Sequence, residues 1–337
     1  MQNSISLRTV WAIFVLLTST LVASGCSRKD PPAKQSGPLV SVRICQGGIV
    51  APLMFIAKEK GFFRSEGVQA DISVVGDGKT AMGAFLDGRC EIALVGEPPI
   101  VRQSFKRKDF VIIASVVSSD SATKILARRD RGISRPEDLI GKRVAVSKGT
   151  ISHFFLDQFL KKNHIPPEKL TVVDLLHSDM AAALKRGDID AFAGSDFAYL
   201  NGSRAIGAGG VTFSEPGLTT HAANLVVKAD WVRDNQPAAR GLLKALIAAE
   251  KELASDPDAV AAKLAKEHQV MLEDLKAVMA LQRNSVSLDQ ILILSLEDQA
   301  RWMQETGLEK GKGAPNYLTF LFPSILRDLR PESVNLN

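Results

Sequence analysis

The chain has 337 residues, of which 45% are hydrophobic and 23% are charged. This composition is that of a globular protein, and the length is sufficient for two lobes of typical domain size. The formal net charge is +5, and the basic residues are scattered rather than arranged in a stripe with aromatic residues between them. We therefore expect no nucleic-acid partner, whereas a modest positive field favours anionic solutes.

Residues 1–25 have the pattern of an export signal. They contain one charged residue, Arg8, followed by an apolar run and then by small residues. The segment ends in the letters ASGC at Cys26, which resembles the cleavage box of a bacterial lipoprotein signal. The resemblance implies cleavage before Cys26 and acylation of its thiol. The alternative is an uncleaved membrane anchor, for which the apolar run is short.

Residues 26–38 are polar and rich in proline, which predicts a flexible tether between the lipid and the folded part of the chain. The signal and the tether together predict an exported protein. We expect it to be lipid-anchored and to face the periplasm or the cell exterior.

Beyond the tether, short apolar strands alternate with helices, which predicts βαβ units and parallel sheets. This alternation occurs in two rounds. In each round a predicted helix ends at a glycine, an acidic residue follows, and an apolar strand begins, so we expect two similar lobes. The predicted strands lie at 39–45, 68–75, 90–96 and 110–117 in the first round, and at 122–130, within 134–147, at 169–175 and at 189–195 in the second. The predicted helices lie at 52–63, 78–88 and 98–108, and then at 150–163 and 178–188.

The last third of the chain begins with a predicted strand at 222–232 and is mostly helical from Asn235 onward. Apolar residues recur there at helical spacing, which indicates amphipathic helices. We expect this tail to pack back on the first lobe. The alternative is a separate helical domain.

Two cysteines, Cys45 and Cys90, lie in the first round of strands. If their strands are parallel and adjacent, the two residues are several positions apart along the strand axis. That separation exceeds the span of a disulfide, so we expect two free, buried thiols.

Several segments occur in the same order as in a known family. Residues 40–229 resemble the solute-binding proteins of ABC importers for nitrate, sulfonates and taurine, a family that also includes binding proteins for thiamine-precursor pyrimidines. The resemblance implies an α/β, type II periplasmic-binding-protein fold, with two Rossmann-like lobes, a cleft between them and a helical C-terminal region on lobe one. It places lobe one at 39–120 plus 222–337 and lobe two at 121–221. The matching segments are 51–72, 76–99, 137–165 and 182–194.

The cleft of such a fold lies at the carboxyl ends of strands and the N-termini of helices, where ligands of α/β sheets bind and where N–H groups favour anions. In lobe two this position falls on Gly149, Thr150 and Ser152. The residues by themselves also fit an ordinary helix cap, but the resemblance favours ligand contacts. His153 is either a donor to the ligand or a packed side chain.

Four turns offer further candidate ligand-binding residues. An anion would pair with Lys79, unless that lysine is simply solvated. The carboxylates of Glu97 and Asp196 would repel an anion unless they are paired or turned away, and they would suit an amine or a cationic ring. Both could instead be structural. The candidates are Gln46, Gly47, Gly78, Lys79, Thr80, Gly96, Glu97 and Asp196.

The resemblance implies a receptor that captures a small anionic solute such as a sulfonate, taurine or nitrate and delivers it to ABC permease subunits. We expect a monomer with no cofactor, no metal and no catalytic activity, because no catalytic motif is present and the histidines lack metal-ligand spacing. One alternative is a binding protein for a thiamine-precursor pyrimidine or another small organic solute. An alternative of another class is a signalling or scaffold lipoprotein without a transport role.

Overall fold

The computed structural model of the protein describes residues 38–48, 50–310 and 313–336. The predicted signal at 1–25, Cys26 and all of the tether 26–38 except its last residue lie outside them. Among the described residues, no helix combines the length and the apolarity that crossing a membrane requires.

The described chain alternates strands and helices up to β10 and is mainly helical afterwards. The strands are β1 Val40–Gly47, β2 Val68–Val75, β3 Ile92–Val95, β4 Phe110–Ser119, β5 Thr123–Arg128, β6 Arg143–Val146, β7 Thr171–Asp174, β8 Ala191–Ser195, β9 Gly210–Phe213, β10 His221–Lys228, β11 Leu288–Asp289 and β12 Val334–Asn335. The helices are α1 Pro52–Glu59, α2 Phe62–Ser65, α3 Gly78–Leu86, α4 Glu97–Ser104, α5 Ile151–Lys162, α6 His177–Arg186, α7 Asp196–Ile206, α8 Ala229–Asp234, α9 Gln236–Ser255, α10 Pro257–His268, α11 Leu272–Ala280, α12 Gln290–Glu305 and α13 Ser324–Leu329.

Two five-stranded sheets form within the described residues, in the orders β2-β1-β3-β10-β4 and β7-β6-β8-β5-β9. In both sheets the first three strands are parallel, and the fourth strand runs antiparallel to both of its neighbours. We call the layers around the first sheet lobe one and those around the second sheet lobe two. The predicted α/β fold class with two similar lobes is confirmed, while the residue boundaries of the lobes stay a prediction.

Both rounds contain the predicted glycine stop after a helix. Gly88 follows α3 and Gly187 follows α6, with φ angles of 74° and 80°. A residue with a Cβ is strained in this left-handed region, which is why glycine ends helices so often.

The helical tail packs on lobe one, as expected. Helix α9 lies so close to the turn before β2 that a Cβ on Gly241 would be 2.4 Å from the carbonyl oxygen of Glu66. Leu242, Leu246 and Trp302 of the tail belong to the same buried core as Ile44 of β1. This shared core makes the tail part of lobe one.

The prediction of two free thiols is wrong, because Cys45 and Cys90 form a disulfide with their Cα atoms 5.9 Å apart. Cys90 was predicted at the start of its strand, but β3 begins only at Ile92. Cys90 lies in the turn that enters the strand, so it is not held at the axial distance that the pairing of Ile44 with Ile92 would impose. Both cysteines are buried.

The element predictions failed at four further places. The predicted strand 222–232 ends at Lys228, after which α8 begins, and the first sheet is not wholly parallel because β10 runs antiparallel within it. Helix α7 and strand β9 were not predicted.

Candidate functional site

The turns that follow β1, β2 and β3 meet at one edge of lobe one. A Cβ on Gly47, at the end of β1, would lie 2.8 Å from both Cα and N of Gly78, in the turn after β2. The side chain of Gln46 is 5% exposed. The predicted residues Gln46, Gly47 and Gly78 are thus brought together, and the glycines allow the two turns to touch.

Helix α3 begins with a carboxylate cap. The Oδ1 atom of Asp77 accepts a hydrogen bond from the backbone N–H of Thr80 at 2.7 Å. Lys79 and Thr80 are both exposed, and Lys79 forms no ion pair with the described residues. The first turn of α3 is therefore less suited to an anion than its sequence suggested, because a negative charge already occupies it.

Glu97, the first residue of α4, is fully buried and turned toward β10. Its Oε1 atom accepts a hydrogen bond from the N–H of Ala222 at 2.7 Å, and its Oε2 atom lies 3.3 Å from Nδ1 of His221. The adjacent Gly96 leaves room for the imidazole, since a Cβ there would be 2.9 Å from Cε1 of His221. Glu97 is thus paired with a residue that we did not predict.

In lobe two, the predicted residues Gly149, Thr150 and Ser152 lie in the turn between β6 and α5 and at the start of that helix. Gly149 has a φ of 75°, and its N–H donates to Nδ1 of His153 at 3.2 Å. The hydroxyl of Thr150 donates to the carbonyl oxygen of Ser147 at 2.7 Å and does not cap the helix. Helix α5 therefore begins without a side-chain cap at Thr150, while the carboxylate of Asp174 accepts a hydrogen bond from the N–H of Lys148 in the turn before it.

Ser152 and His177 form a hydrogen-bonded pair inside lobe two. Ser152 is fully buried, and its Oγ atom lies 3.0 Å from Nε2 of His177. Burial lowers the pKa of His177, and the charge of Asp77 in lobe one offsets part of that change.

Asp196 stands at the junction of β8 and α7. It is one of the described non-glycine residues with a positive φ, at 48°, and its Oδ1 atom is buried without a hydrogen bond to the described residues. Burial raises the pKa of its carboxyl, and the charges of His221 and Lys124 lower it by less. Strained backbone and an unpaired buried oxygen are features that cluster at functional sites.

The two lobes touch at the N-terminal half of α5. The ring of His153 meets Trp302 of α12 edge-on, with ring centroids 5.1 Å apart, and Phe154 packs on the same indole. Burial lowers the pKa of His153. Arg102 of α4 reaches the turn before α5, since a Cβ on Gly149 would lie 2.6 Å from its Nη2 atom.

Arg102 is itself held by Glu309, with Nε and Oε1 3.2 Å apart. It therefore places a guanidinium from lobe one beside the uncapped helix N-terminus of lobe two. Lys79 is exposed on α3 and stays a predicted ligand residue, whereas the guanidinium of Arg102 lies directly beside Gly149.

Four residues that line this region were not predicted from the sequence. His177 follows β7 at the same sheet edge as Gly149. Because ligands bind at the carboxyl ends of strands, the sequence could have indicated this residue. His221 opens the strand that returns to lobe one. Arg102 and Trp302 carry no sequence signal, because only the packing of α4 and α12 brings them to the cleft.

Among the described residues, no group of three or more histidine, cysteine, aspartate or glutamate side chains could hold a metal ion. A separate cavity of about 480 Å³ contains none of the predicted site residues. It is lined by Glu250, Arg283, Ser285, Ser287, Asp289, Gln290, Ile291, Arg330, Glu332, Ser333 and Asn335.

Comparison with known proteins identifies the family. The family described as NMT1/THI5 like matches residues 51–260. The chain belongs to the NMT1/THI5-like family. The matched segment includes every predicted site residue of the cleft except Gln46 and Gly47.

Three curated relatives illustrate the range of the family. The chain is 25% identical over 226 residues to the taurine-binding periplasmic protein of Escherichia coli K12, covering 65% of this chain and 68% of that protein. It is 29% identical to the putative binding protein YtlA of Bacillus subtilis, over 52% of this chain and 48% of that one. It is 25% identical to a putative aliphatic sulfonates-binding protein of B. subtilis, over 54% and 55%. The matches thus span between about half and two thirds of these relatives' own lengths.

Solved structures share the fold at lower identity. The periplasmic aliphatic sulphonate binding protein SsuA of E. coli aligns with a TM-score of 0.72 at 20% identity, over 84% of this chain and 92% of that one. SsuA of Xanthomonas axonopodis pv. citri, bound to MOPS, aligns with a TM-score of 0.72 at 18% identity, over 86% and 100%. The desulfurization enzyme DSZB aligns at 0.67 with 16% identity, over 86% and 99%. The fold therefore occurs both in binding proteins and in an enzyme.

Proposed function

We propose that this protein is the solute receptor of an ABC importer and that its solute is a small sulfonate-type anion. The observation that supports this most directly is the pairing of an uncapped helix N-terminus with a guanidinium across the cleft. Helix α5 of lobe two begins at Ile151 without a side-chain cap, and Arg102 of lobe one lies against Gly149 just before it. Both groups attract an anion, and closing the lobes strengthens the attraction by excluding water.

The ligand would lie at adjacent strand ends. Strands β6 and β8 are parallel neighbours, so the turn at Gly149 and the residue Asp196 lie side by side at the same edge. Glu97 accepts a hydrogen bond from Ala222 and lies beside His221, whereas the buried Oδ1 atom of Asp196 has no hydrogen-bond partner among the described residues. A solute with a cationic group beside its anionic group would satisfy Asp196, as taurine, the solute named for the E. coli relative, would do.

The binding test is a panel of solutes measured by thermal shift and calorimetry. The panel contains taurine, ethanesulfonate, longer alkyl sulfonates, nitrate, sulfate, bicarbonate and thiamine-precursor pyrimidines. A true ligand at 100 times its Kd stabilises the folded protein by about 2.7 kcal/mol. We expect stabilisation by a sulfonate, and tighter binding of taurine than of ethanesulfonate if Asp196 contacts an amine.

Variants separate the contributions of the two charged groups. Arg102→Gln removes the guanidinium and should weaken sulfonate binding by about 10- to 100-fold, which is the effect of losing one charge-assisted hydrogen bond. The matched control is Arg107→Gln, because Arg107 is exposed and pairs with its neighbour Asp109. Asp196→Asn should abolish the preference for taurine. Stabilisation by pyrimidines alone would reject the anion proposal.

We further propose that Cys26 anchors the receptor to a membrane by a lipid and that the receptor is a monomer serving permease subunits. Cys26→Ser should then release the protein into the soluble fraction and abolish incorporation of labelled fatty acid. Labelled lipid on the Cys26→Ser protein would contradict the anchor. Failure of all solutes to bind would favour the alternative of a signalling or scaffold lipoprotein, and turnover of a bound sulfonate would favour an enzyme.

A further inference from the structure

Lobe two carries helices on both faces of its sheet. Successive residues of a strand point to opposite faces, so neighbouring residues mark the two sides. Ile125 of β5 and Ala191 of β8 belong to a buried cluster with residues of α5. Their neighbours Leu126 and Phe192 belong to a second cluster with residues of α6, against which Tyr199 of α7 packs. Helix α5 therefore covers one face of the sheet, and α6 and α7 cover the other.

Helix α12 of lobe one packs against α5 on the first of these faces. The ring centroid of Trp302 lies 5.1 Å from that of His153 and 5.2 Å from that of Phe154, both in α5. Ile151 and Phe154 are buried in the same apolar core as Trp302, although α5 belongs to lobe two. The core of lobe one thus extends into the first turn of α5.

Helix α11 of lobe one contacts α7 on the opposite face of the same sheet. Arg204 of α7 forms an ion pair with Asp274 in the first turn of α11, and Asp274 is 6% exposed. Phe197 and Leu200 of α7 pack against the core of lobe one. Residues 197, 200 and 204 are three and four positions apart, so they share one side of the helix. That side of α7 therefore combines an apolar contact with an ion pair.

The two tail helices share a base beside a crossing between the lobes. The segment that joins α11 to α12 pairs with β4, because the N–H of Ser118 donates to the carbonyl oxygen of Arg283 at 2.9 Å. The N–H of Ser115 likewise donates to the carbonyl oxygen of Ser287 at 2.8 Å. Strand β4 ends at Ser119, and the next strand, β5, belongs to the sheet of lobe two. Both helices thus extend toward lobe two from one strand edge.

The contacts of α11 and α12 join the lobes without a covalent link. Moving lobe two away from the tail would expose the apolar sides of α5 and α7 to water. It would also leave Asp274 without its cation. Exposing apolar surface and removing one partner of a buried charge both cost free energy. The contacts therefore favour the closed arrangement of the lobes.

We propose that α11 and α12 form a clamp that grips lobe two on both faces of its sheet and holds the lobes closed, so that the two arms of the clamp release together. The clamp consists of residues of the chain alone and acts whether or not a solute is bound. Its consequence rests on the proposed function: in a receptor whose solute is held by the closed form, the strength of the clamp sets the closed fraction and hence the apparent affinity.

The experiment breaks one arm of the clamp and observes the other. Arg204→Glu places a carboxylate beside Asp274 in the α11 arm. Trp302 in the α12 arm is 1% exposed, so its emission and its quenching by acrylamide report separation from α5. The full chain would carry phenylalanine in place of its other two tryptophans, Trp11 and Trp231. Small-angle scattering would give the radius of gyration in parallel.

We expect Arg204→Glu to raise the open fraction about 10- to 100-fold, because a charge-assisted pair is lost from one arm. Emission of Trp302 should shift to the red, its quenching should increase and the radius of gyration should rise. In Arg204→Glu/Asp274→Asn no like charges face each other, so most of this effect should disappear. General damage to the fold by Arg204→Glu would not be relieved by a second substitution.

The matched control is Lys276→Glu. Lys276 lies on the same helix α11 and is about as exposed as Arg204, but it pairs with Asp258 of α10 within the tail, at 2.6 Å. This variant should leave the quenching of Trp302 and the radius of gyration unchanged.

Unchanged quenching of Trp302 in Arg204→Glu would overturn the proposal, because the two arms would then not release together. An equal effect of Lys276→Glu, or an effect of Arg204→Glu that persists with Asp274→Asn, would overturn it as well. None of these measurements uses a solute. Failure of the clamp is therefore distinct from failure of the proposed function, which is judged by solute binding.

Discussion

Gly47 illustrates how closely the turns of the candidate site pack. Its neighbour across the gap is the backbone of Gly78 rather than a side chain that could move aside. A side chain at either position would overlap the backbone of the other turn and push the two turns apart. The close approach of the turns therefore requires glycine at both positions. Both glycines are predicted ligand-binding residues, and the structure adds a packing role to that prediction.

We expect Gly47→Ala to lower the free energy of unfolding by about 1–3 kcal/mol because the new methyl group would overlap Gly78. The control is Gly83→Ala, since Gly83 lies within α3 and a Cβ there meets no atom within 4 Å. That substitution should instead stabilise the protein by about 0.5–1 kcal/mol through helix propensity. Chemical denaturation of both variants would measure the difference, and equal effects at the two positions would contradict the packing argument.

The charged residues of the cleft could be predicted as candidates but not in their roles. Glu97 and Asp196 were identifiable because they follow predicted strands, and the sequence left open whether they bind ligand or are structural. The structure pairs Glu97 with His221 and leaves Asp196 with an unpaired oxygen. The contacts of Glu97 are made with β10, and its hydrogen bond with Ala222 spans 125 residues of the chain.

Helix α7 shows why one element escaped prediction. Its interior contains Gly202, which reads as a break in a helical pattern. In the structure, a Cβ at this position would lie 2.6 Å from Cζ of Phe192 and 2.9 Å from Cδ2 of Leu126. Glycine at this position allows the helix to pack closely on β5 and β8. Tertiary packing thus outweighs the low helix propensity of glycine.

Helices α5 and α12 contact each other across the two lobes, and so do α7 and α11, where Arg204 pairs with Asp274. Besides the Trp302 contacts, Lys161 of α5 lies 3.1 Å from Glu305 of α12. Exposed ion pairs of this kind contribute little to stability. The aromatic contact of His153 and Phe154 with Trp302 buries apolar surface between these two helices.

On the scale of the whole molecule, the disulfide joins β1 to the turn that enters β3. Cys45 and Cys90 are separated by 45 residues, so the bridge closes a loop that contains β2 and α3. Closing such a loop restricts the unfolded chain more than the folded one. Disulfides also persist in oxidising compartments, which agrees with the export that the N-terminal pattern predicts.

Reduction of this bridge should lower the free energy of unfolding by about 2–4 kcal/mol. The measurement is thermal or chemical denaturation with and without a reductant. The control is the Cys45→Ala/Cys90→Ala protein, whose stability should be independent of the reductant. A wild-type protein that unfolds identically in both conditions, or that exposes two additional reactive thiols when denatured without reductant, would contradict the disulfide.

The sequence by itself determined the alternation of strands and helices, the two similar lobes and the strand ends at which a ligand site should form. These features follow from local periodicity, helix stops and the order of the motifs, all of which lie close together in the chain. The tertiary structure alone decided the disulfide, the antiparallel insertion of β10 and the meeting of Arg102, His221 and Trp302 at the cleft. Each of these depends on contacts between residues far apart in the chain, and a single sequence carries no record of such distances.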